Sequence, residues 1–198
     1  MPTPPRRTQA ERRSSTRAII LEAALDSLVE HGLAGFTTTA VMQQAGLSQG
    51  ALFKHFGTKA ELLAEVTEHL FDGLRADFEE RFQALPEQDR TPRHGVDLLW
   101  TEMFDPRLAA AYELYTAART DTELRESLQP VVERHLKHIE ELATALLGST
   151  SANPTGAASL VILALQGLVV NQMAWPSERH IVELRAQLDQ LVDLFMEA

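Results

Sequence analysis

The sequence predicts an all-α protein, and three observations carry that prediction. Alternating apolar and polar runs between tight-turn dipeptides, the mark of strands, are nearly absent. Apolar residues recur at three- and four-residue spacing along almost the whole chain, the period of helices with a buried face. Prolines at 86, 92, 106, 154 and 176 separate these stretches, while Pro130 falls inside one.

Taken in order, residues 1–13 are rich in Pro, Arg and Gln and are expected to form a flexible basic arm. A first helix is expected over Ser15–His31, with Ile20, Ala24 and Leu28 in its buried stripe and Gly32 at its end. Two short helices follow, Thr38–Gln44 and Ser48–His55. Gly46 supplies the positive φ of the turn between them, and Ser48 is the N-cap of the second. Thr58 and Glu61 have capping-box spacing and open a long helix. Its stripe is regular: Leu62, Val66, Leu70, Leu74, Phe78 and Phe82. The stretch from Pro86 to Pro92 reads as a linker. Helices are then expected at 93–103, 106–119, 122–147, 155–174 and 178–197, with Pro130 kinking or dividing the third of these.

Composition narrows the function. At 198 residues and 44% apolar content, the chain can bury a real core. It has no cysteine, which removes disulfides, thiolate nucleophiles and Cys-type zinc sites together. No apolar run is expected to approach the roughly 18 residues of a membrane span. The basic start lacks the apolar core of a signal peptide, so a cytoplasmic address is expected. No nucleophile elbow, phosphate loop or paired ligand motif is found, and neither an enzyme nor a cofactor is expected.

The net charge of −10 hides an asymmetry. Residues 1–60 carry seven Lys/Arg against four Asp/Glu, so they are net +3 and the remaining residues are −13. A basic end on an acidic body suits a protein that meets phosphate with one end, although a basic tail on any acidic helical protein gives the same pattern.

The segment Gly35–Lys59 is the informative one. Two short helices joined by a glycine-containing turn specify a helix-turn-helix, whose second helix can enter a major groove. Val41, Ala45, Leu47 and Leu52 can pack this pair, leaving Thr37, Thr38, Thr39, Ser48, Gln49, Lys54 and His55 on the outer side.

Over residues 17–66 the chain resembles the TetR family of one-component regulators. The resemblance rests on Ile20 through Ala24, Gly32, Thr37–Thr38, Val41, Ala45-Gly46-Leu47-Ser48, Gly50, Leu52-Phe53, His55-Phe56, Lys59 and Leu62-Leu63. It implies a DNA-binding unit over 14–57 and a ligand-binding and dimerisation unit over 58–198. Thr37 or Thr38 then offers a hydroxyl and free N–H groups to a phosphate. Gln49 pairs with adenine, Gly50 leaves room for the groove wall, Lys54 reaches guanine or phosphate, and His55 reaches phosphate. Lys59, a cation at a helix N-terminus, is expected to have its conflict with the helix dipole relieved by a docked phosphate. The family usually has tyrosine where this chain has Phe53. On that comparison Phe53 keeps the packing and loses a phosphate contact worth about 1.5–3 kcal/mol, unless the arginine arm compensates, for instance in a flanking minor groove.

The resemblance also implies a homodimer through the last two helices, a near-palindromic double-stranded operator and a small-molecule effector, with no membrane partner. The reading is a ligand-released repressor; an activator differs only in operator position, and a helical protein-interaction module without DNA binding is the alternative. Trp100, Met103, Phe104, Tyr112, Tyr115, Gln166, Met173 and Trp175 are candidates to line the effector pocket, with Gln172 as a further polar group. His135 and His138 have a spacing that suits a metal, but no metal site is expected.

Overall fold

The computed structural model describes residues 8–147 and 153–197, which form helices and short connections with no strand among them. Helix α1 (Gln9–Gly35) begins six residues before the expected Ser15. Thr8 is the cause: its hydroxyl accepts from the Glu11 amide at 3.2 Å, and the Glu11 carboxylate accepts from the Thr8 amide at 2.6 Å. This reciprocal capping box satisfies two otherwise orphaned donors. Residues 9–13, expected in a flexible arm, are therefore the first turns of α1; the rest of that expected arm, residues 1–7, lies outside the described residues.

At Gly32 (φ 63°, ψ 179°) the helix kinks instead of ending, a conformation that essentially only glycine adopts. The Leu33 amide, turned out of the helical ladder, donates to the Glu113 carboxylate at 2.9 Å.

Helix α2 (Thr38–Gln44) starts where Thr37 accepts from the Ala40 amide at 3.1 Å. Gly46 takes φ 66°, as its place in the turn requires. Helix α3 (Gln49–Leu52) is shorter than the expected Ser48–His55, and Ser48, at its N-cap position, makes no side-chain capping bond. The chain continues through Lys54 and His55 in tightened turns, the Lys54 amide bonding Ala51 and the His55 amide bonding Leu52.

Helix α4 (Lys59–Ala84) carries the Thr58/Glu61 capping box, and all six residues of its stripe are buried. The expected linker after it is structured: Arg90 donates to the carbonyls of Leu85 (3.0 Å) and Gln83 (2.6 Å), closing the end of α4. Helices α5 (Pro92–Glu102), α6 (Pro106–Ala118), α7 (Thr122–Leu147), α8 (Pro154–Ala174) and α9 (Glu178–Glu197) lie within one residue of expectation. Prolines occupy the first position of α5, α6 and α8, where a missing N–H costs nothing. Pro130 does not divide α7.

One apolar core runs from Ile20 in α1 to Val192 in α9. Helix α4 is its axis, packing on α1, α5 and most extensively on α7, while α1 also packs on α6. Contrary to expectation, α8 is long and apolar enough, by length and composition, to cross a membrane. In the fold it packs on α7, α6 and α9. It is nevertheless not buried on most sides: Leu160, Leu163, Val170 and Met173 face out, as do Val182 and Leu194 of α9.

Candidate nucleic-acid interface and a half-open cavity

The helix-turn-helix is seated from below by Val41, Met42, Leu52 and Phe56, all essentially inaccessible, with Ala45 and Leu47 packed against the same core. What remains outside is largely polar: Thr37, Thr39, Ser48 and Lys54 are exposed, and Thr38, Gln49 and His55 half-buried. A side chain built at Gly50 would meet nothing within 4 Å, so that stretch of the face is open.

Several site residues stand differently from expectation. Phe53 does not pack: its side chain is turned out, leaving the residue 67% exposed on the same face. The buried aromatic is Phe56, which the regular apolar spacing did not distinguish from Phe53. The amide nitrogen of Gln49 is buried without a hydrogen-bond partner, so bidentate pairing with adenine requires a new rotamer. Lys59 donates to the Phe36 carbonyl at 3.0 Å and lies 5.2 Å above the Phe36 ring. Its conflict with the α4 dipole is relieved inside the chain, with no phosphate needed.

Sequence reasoning missed Arg13 and Arg17. Arg17 lies on the expected first helix, and because α1 starts at Gln9 Arg13 joins it there, both acting on His55. Burial, followed by Arg13, Arg17 and Lys54, pushes His55 below its ordinary pKa, so the ring is neutral at pH 7. Arg17 also pairs with Glu65 of α4 and lies 5.7 Å above the Phe56 ring. The signal for this was in the sequence: Thr8 and Glu11 have the spacing of a capping box.

Away from this face, a cavity of about 580 Å³ lies among α4, α5, α6 and α7, with Ile162 of α8 on its wall. Of the expected lining residues, Met103 and Tyr112 are there. Trp100 instead lies under the Arg185 guanidinium and edge-on to Phe104, which is exposed. Tyr115 packs edge-on to Tyr112, Gln166 is half-buried on α8, and Met173 and Trp175 are exposed. The Gln172 amide bonds the Ser177 backbone and shapes the turn into α9. The residues that do line the cavity include Phe71, Phe78, Glu102 and His135. Periodicity marks which residues face inward, but not where facing helices leave a gap between them.

His135 stacks on Phe71 with ring centroids 3.8 Å apart, and burial, then His138 and Arg75, lowers its pKa to about 4. His138 instead meets Arg75 at 2.6 Å. Glu102 is pushed the other way, up to about 7, chiefly by burial; Asp77 and Asp105 add to that while Arg81 and Arg107 oppose it. Burial raises Tyr112 to about 12, which keeps its hydroxyl a neutral donor.

These two shifts have opposite consequences for stability. Between about 4.5 and 7 the folded state holds a proton on Glu102 that the unfolded state has lost, so its contribution falls as pH rises. Between about 4 and 6.5 the unfolded state holds a proton that His135 refuses, so that contribution rises with pH. Glu102→Gln is therefore expected to gain stability relative to the native chain at pH 8 and to lose that gain by pH 4.5, as read from urea midpoints at both pH values. An equal effect at the two pH values would show that Glu102 is already ionised in the folded chain at low pH.

The chain matches two family models: residues 20–66 that of bacterial regulatory proteins of the tetR family, and residues 86–194 that of a tetracyclin repressor-like C-terminal domain. It is 32% identical over 184 residues to the HTH-type transcriptional regulator CymR of Pseudomonas putida, covering 91% of this chain and 90% of that one. Among solved structures, a TetR-family regulator from a Rhodococcus species has the same fold, with a TM-score of 0.75, 21% identity and coverage of 92% of this chain and 99% of its own. The multidrug binding protein EbrR, solved with imidazole, matches at a TM-score of 0.64 and 25% identity, over 88% of this chain and 93% of its own.

Proposed function

The chain belongs to the tetR family of bacterial regulatory proteins, DNA-binding transcriptional regulators that act as dimers and bind small molecules, and from that premise we propose that it is a repressor released by a ligand in the cavity among α4–α7. The observation that carries this reading is the outward polar face of α2 and α3, seated on Phe56 and flanked by Arg13 and Arg17. Thr37, Thr38, Thr39, Ser48 and Gly50 bring the backbone against the phosphates and groove wall, Lys54 and His55 reach phosphate or base edges, and Gln49 reads a base. Phe53 meets the sugar edge or a thymine methyl with an apolar ring. Lys59 contributes field and local order.

The dimer forms through the apolar faces that α8 and α9 leave exposed, placing two recognition helices about 34–36 Å apart on a near-palindromic operator. Effector binding in the cavity favours a spacing of those helices that no longer fits the operator. Helix α4 connects the two, since Lys59 and Ala60 lie at the DNA end and Phe71 and Phe78 line the cavity.

The test is binding to the intergenic DNA upstream of its own gene against scrambled DNA across a salt series, with Gln49→Ala/Lys54→Ala alongside. Tight, selective binding that weakens steeply with salt is expected for the native chain. The double variant should lose selectivity and at least tenfold in affinity. Binding to neither DNA, with a salt-insensitive protein partner instead, would favour a protein-interaction module.

A further inference from the structure

Resting on the reading of the cavity as the effector site, we infer that the cavity takes an organic cation, an apolar or aromatic body carrying one positive charge, with the Glu102 carboxylate as its counter-charge.

Glu102, at the end of α5, lines the cavity with only 9% of its side chain exposed, and its Oε1 has no hydrogen-bond partner. A buried carboxylate oxygen with no hydrogen bond and its nearest cation, Arg81, only at 3.9 Å is costly, and a ligand that brings a closer positive charge recovers part of that cost on binding. The groups facing it are Asp77 and Arg81 of α4 and Asp105 and Arg107 at the start of α6. Arg107 is held by Asp105 at 2.7 Å and Asp77 at 3.6 Å. That leaves Arg81, 3.9 Å away and itself half exposed, as the larger opposing charge on Glu102, with Arg107 a weaker one.

An anionic ligand finds no comparable partner. The two arginines on the cavity wall are already engaged, Arg134 with Glu68 at 2.8 Å and Arg75 with Asp72 at 3.1 Å. His135 is stacked and neutral. Glu79 makes the wall more acidic still, whereas Glu141 is paired with Lys137 at 3.8 Å. The remaining lining includes Phe71, Phe78 and Tyr112, aromatic rings that attract a desolvated cation where a face is free; His135 takes one face of Phe71. Burial holds Glu102 half protonated near neutrality, so a permanent cation must expel that proton to bind.

The experiment uses an isosteric pair of opposite charge, tetraphenylphosphonium and tetraphenylborate. Each is titrated into the full chain by calorimetry between pH 5.5 and 8.5, with operator release followed in parallel. The native chain is expected to bind the phosphonium at least tenfold more tightly than the borate at pH 8. That affinity should rise with pH up to about 7 and level above it. Glu102→Gln should lose tenfold or more in phosphonium affinity and its pH dependence, while unfolding cooperatively; Glu126→Gln, an exposed acid on α7, should change neither.

Equal affinity for the two ions, a preference for the borate, binding of neither, or an unaffected Glu102→Gln would each overturn the inference. The two levels of the argument separate cleanly. Glu102-dependent phosphonium binding without operator release supports the cation site and sinks the effector reading. Release by the borate alone keeps the effector reading and sinks the cation site.

Discussion

Phe56→Ala is expected to destabilise the chain by about 3–5 kcal/mol, the range for removing a fully buried aromatic ring. Phe56 is 1% exposed, belongs to the apolar core and lies in the chain between α3 and α4. Its amide closes the turn onto Leu52 at 2.9 Å, and the Arg17 guanidinium lies above its ring. With a helix as short as Gln49–Leu52, local hydrogen bonding cannot hold α3 in place, so packing must do so. Truncation therefore removes both stability and the fixed position of the recognition segment. Urea unfolding should show a lower midpoint with an unchanged slope, and operator affinity should fall even at temperatures where the variant remains folded. Phe53→Ala is the contrast. Its ring is already in solvent, so stability should change by no more than about 0.5 kcal/mol while operator affinity falls. A stability change below about 1 kcal/mol for Phe56→Ala would show that α3 is held by something other than this ring.

Leu163→Glu combined with Leu194→Glu is expected to convert the dimer to monomer in sedimentation at micromolar concentration. Both leucines are more than 60% exposed, on helices whose outward faces also present Leu160, Val170 and Val182. So many exposed large apolar side chains on two neighbouring helices suit an interface, and the second copy is the partner that the family's habit supplies. A carboxylate on each helix would be buried in that interface with no counter-ion. Loss of the dimer removes the second, effectively intramolecular half-site contact, so operator affinity should drop by about 10²–10⁴. An unchanged dimer would place the interface on another surface of the chain.

Much of this architecture was legible in the residues. The stripe from Leu62 to Phe82 fixed α4 because a four-residue period can be buried only by a helix. Capping chemistry fixed its start at Thr58; the Thr8–Glu11 box that starts α1 has the same spacing but lies in a Pro- and Arg-rich stretch that reads as an arm. The site was less legible, for a different reason. Phe53 and Phe56 are three apart and chemically identical, and only the tightened turn after Leu52 decides which one faces the core. Lys59 found its partner in a carbonyl 23 residues away, and Glu102 its environment in charges on two other helices. Such contacts depend on tertiary geometry that no local pattern encodes.

The kink at Gly32 bears on whether the N-terminal unit can exist alone. The Leu33 amide it turns outward is satisfied by Glu113, 80 residues further along the chain, and α1 shares its apolar face with α4 and α6 as well as α2. A fragment ending near Gly57 would leave that donor unpaired and strip the cover from Ile20, Leu21 and Ala24. The DNA-reading helices are thus not a module tethered to a sensor. They are expected to melt with it as one cooperative unit, which coincident transitions monitored from both parts of the chain would check.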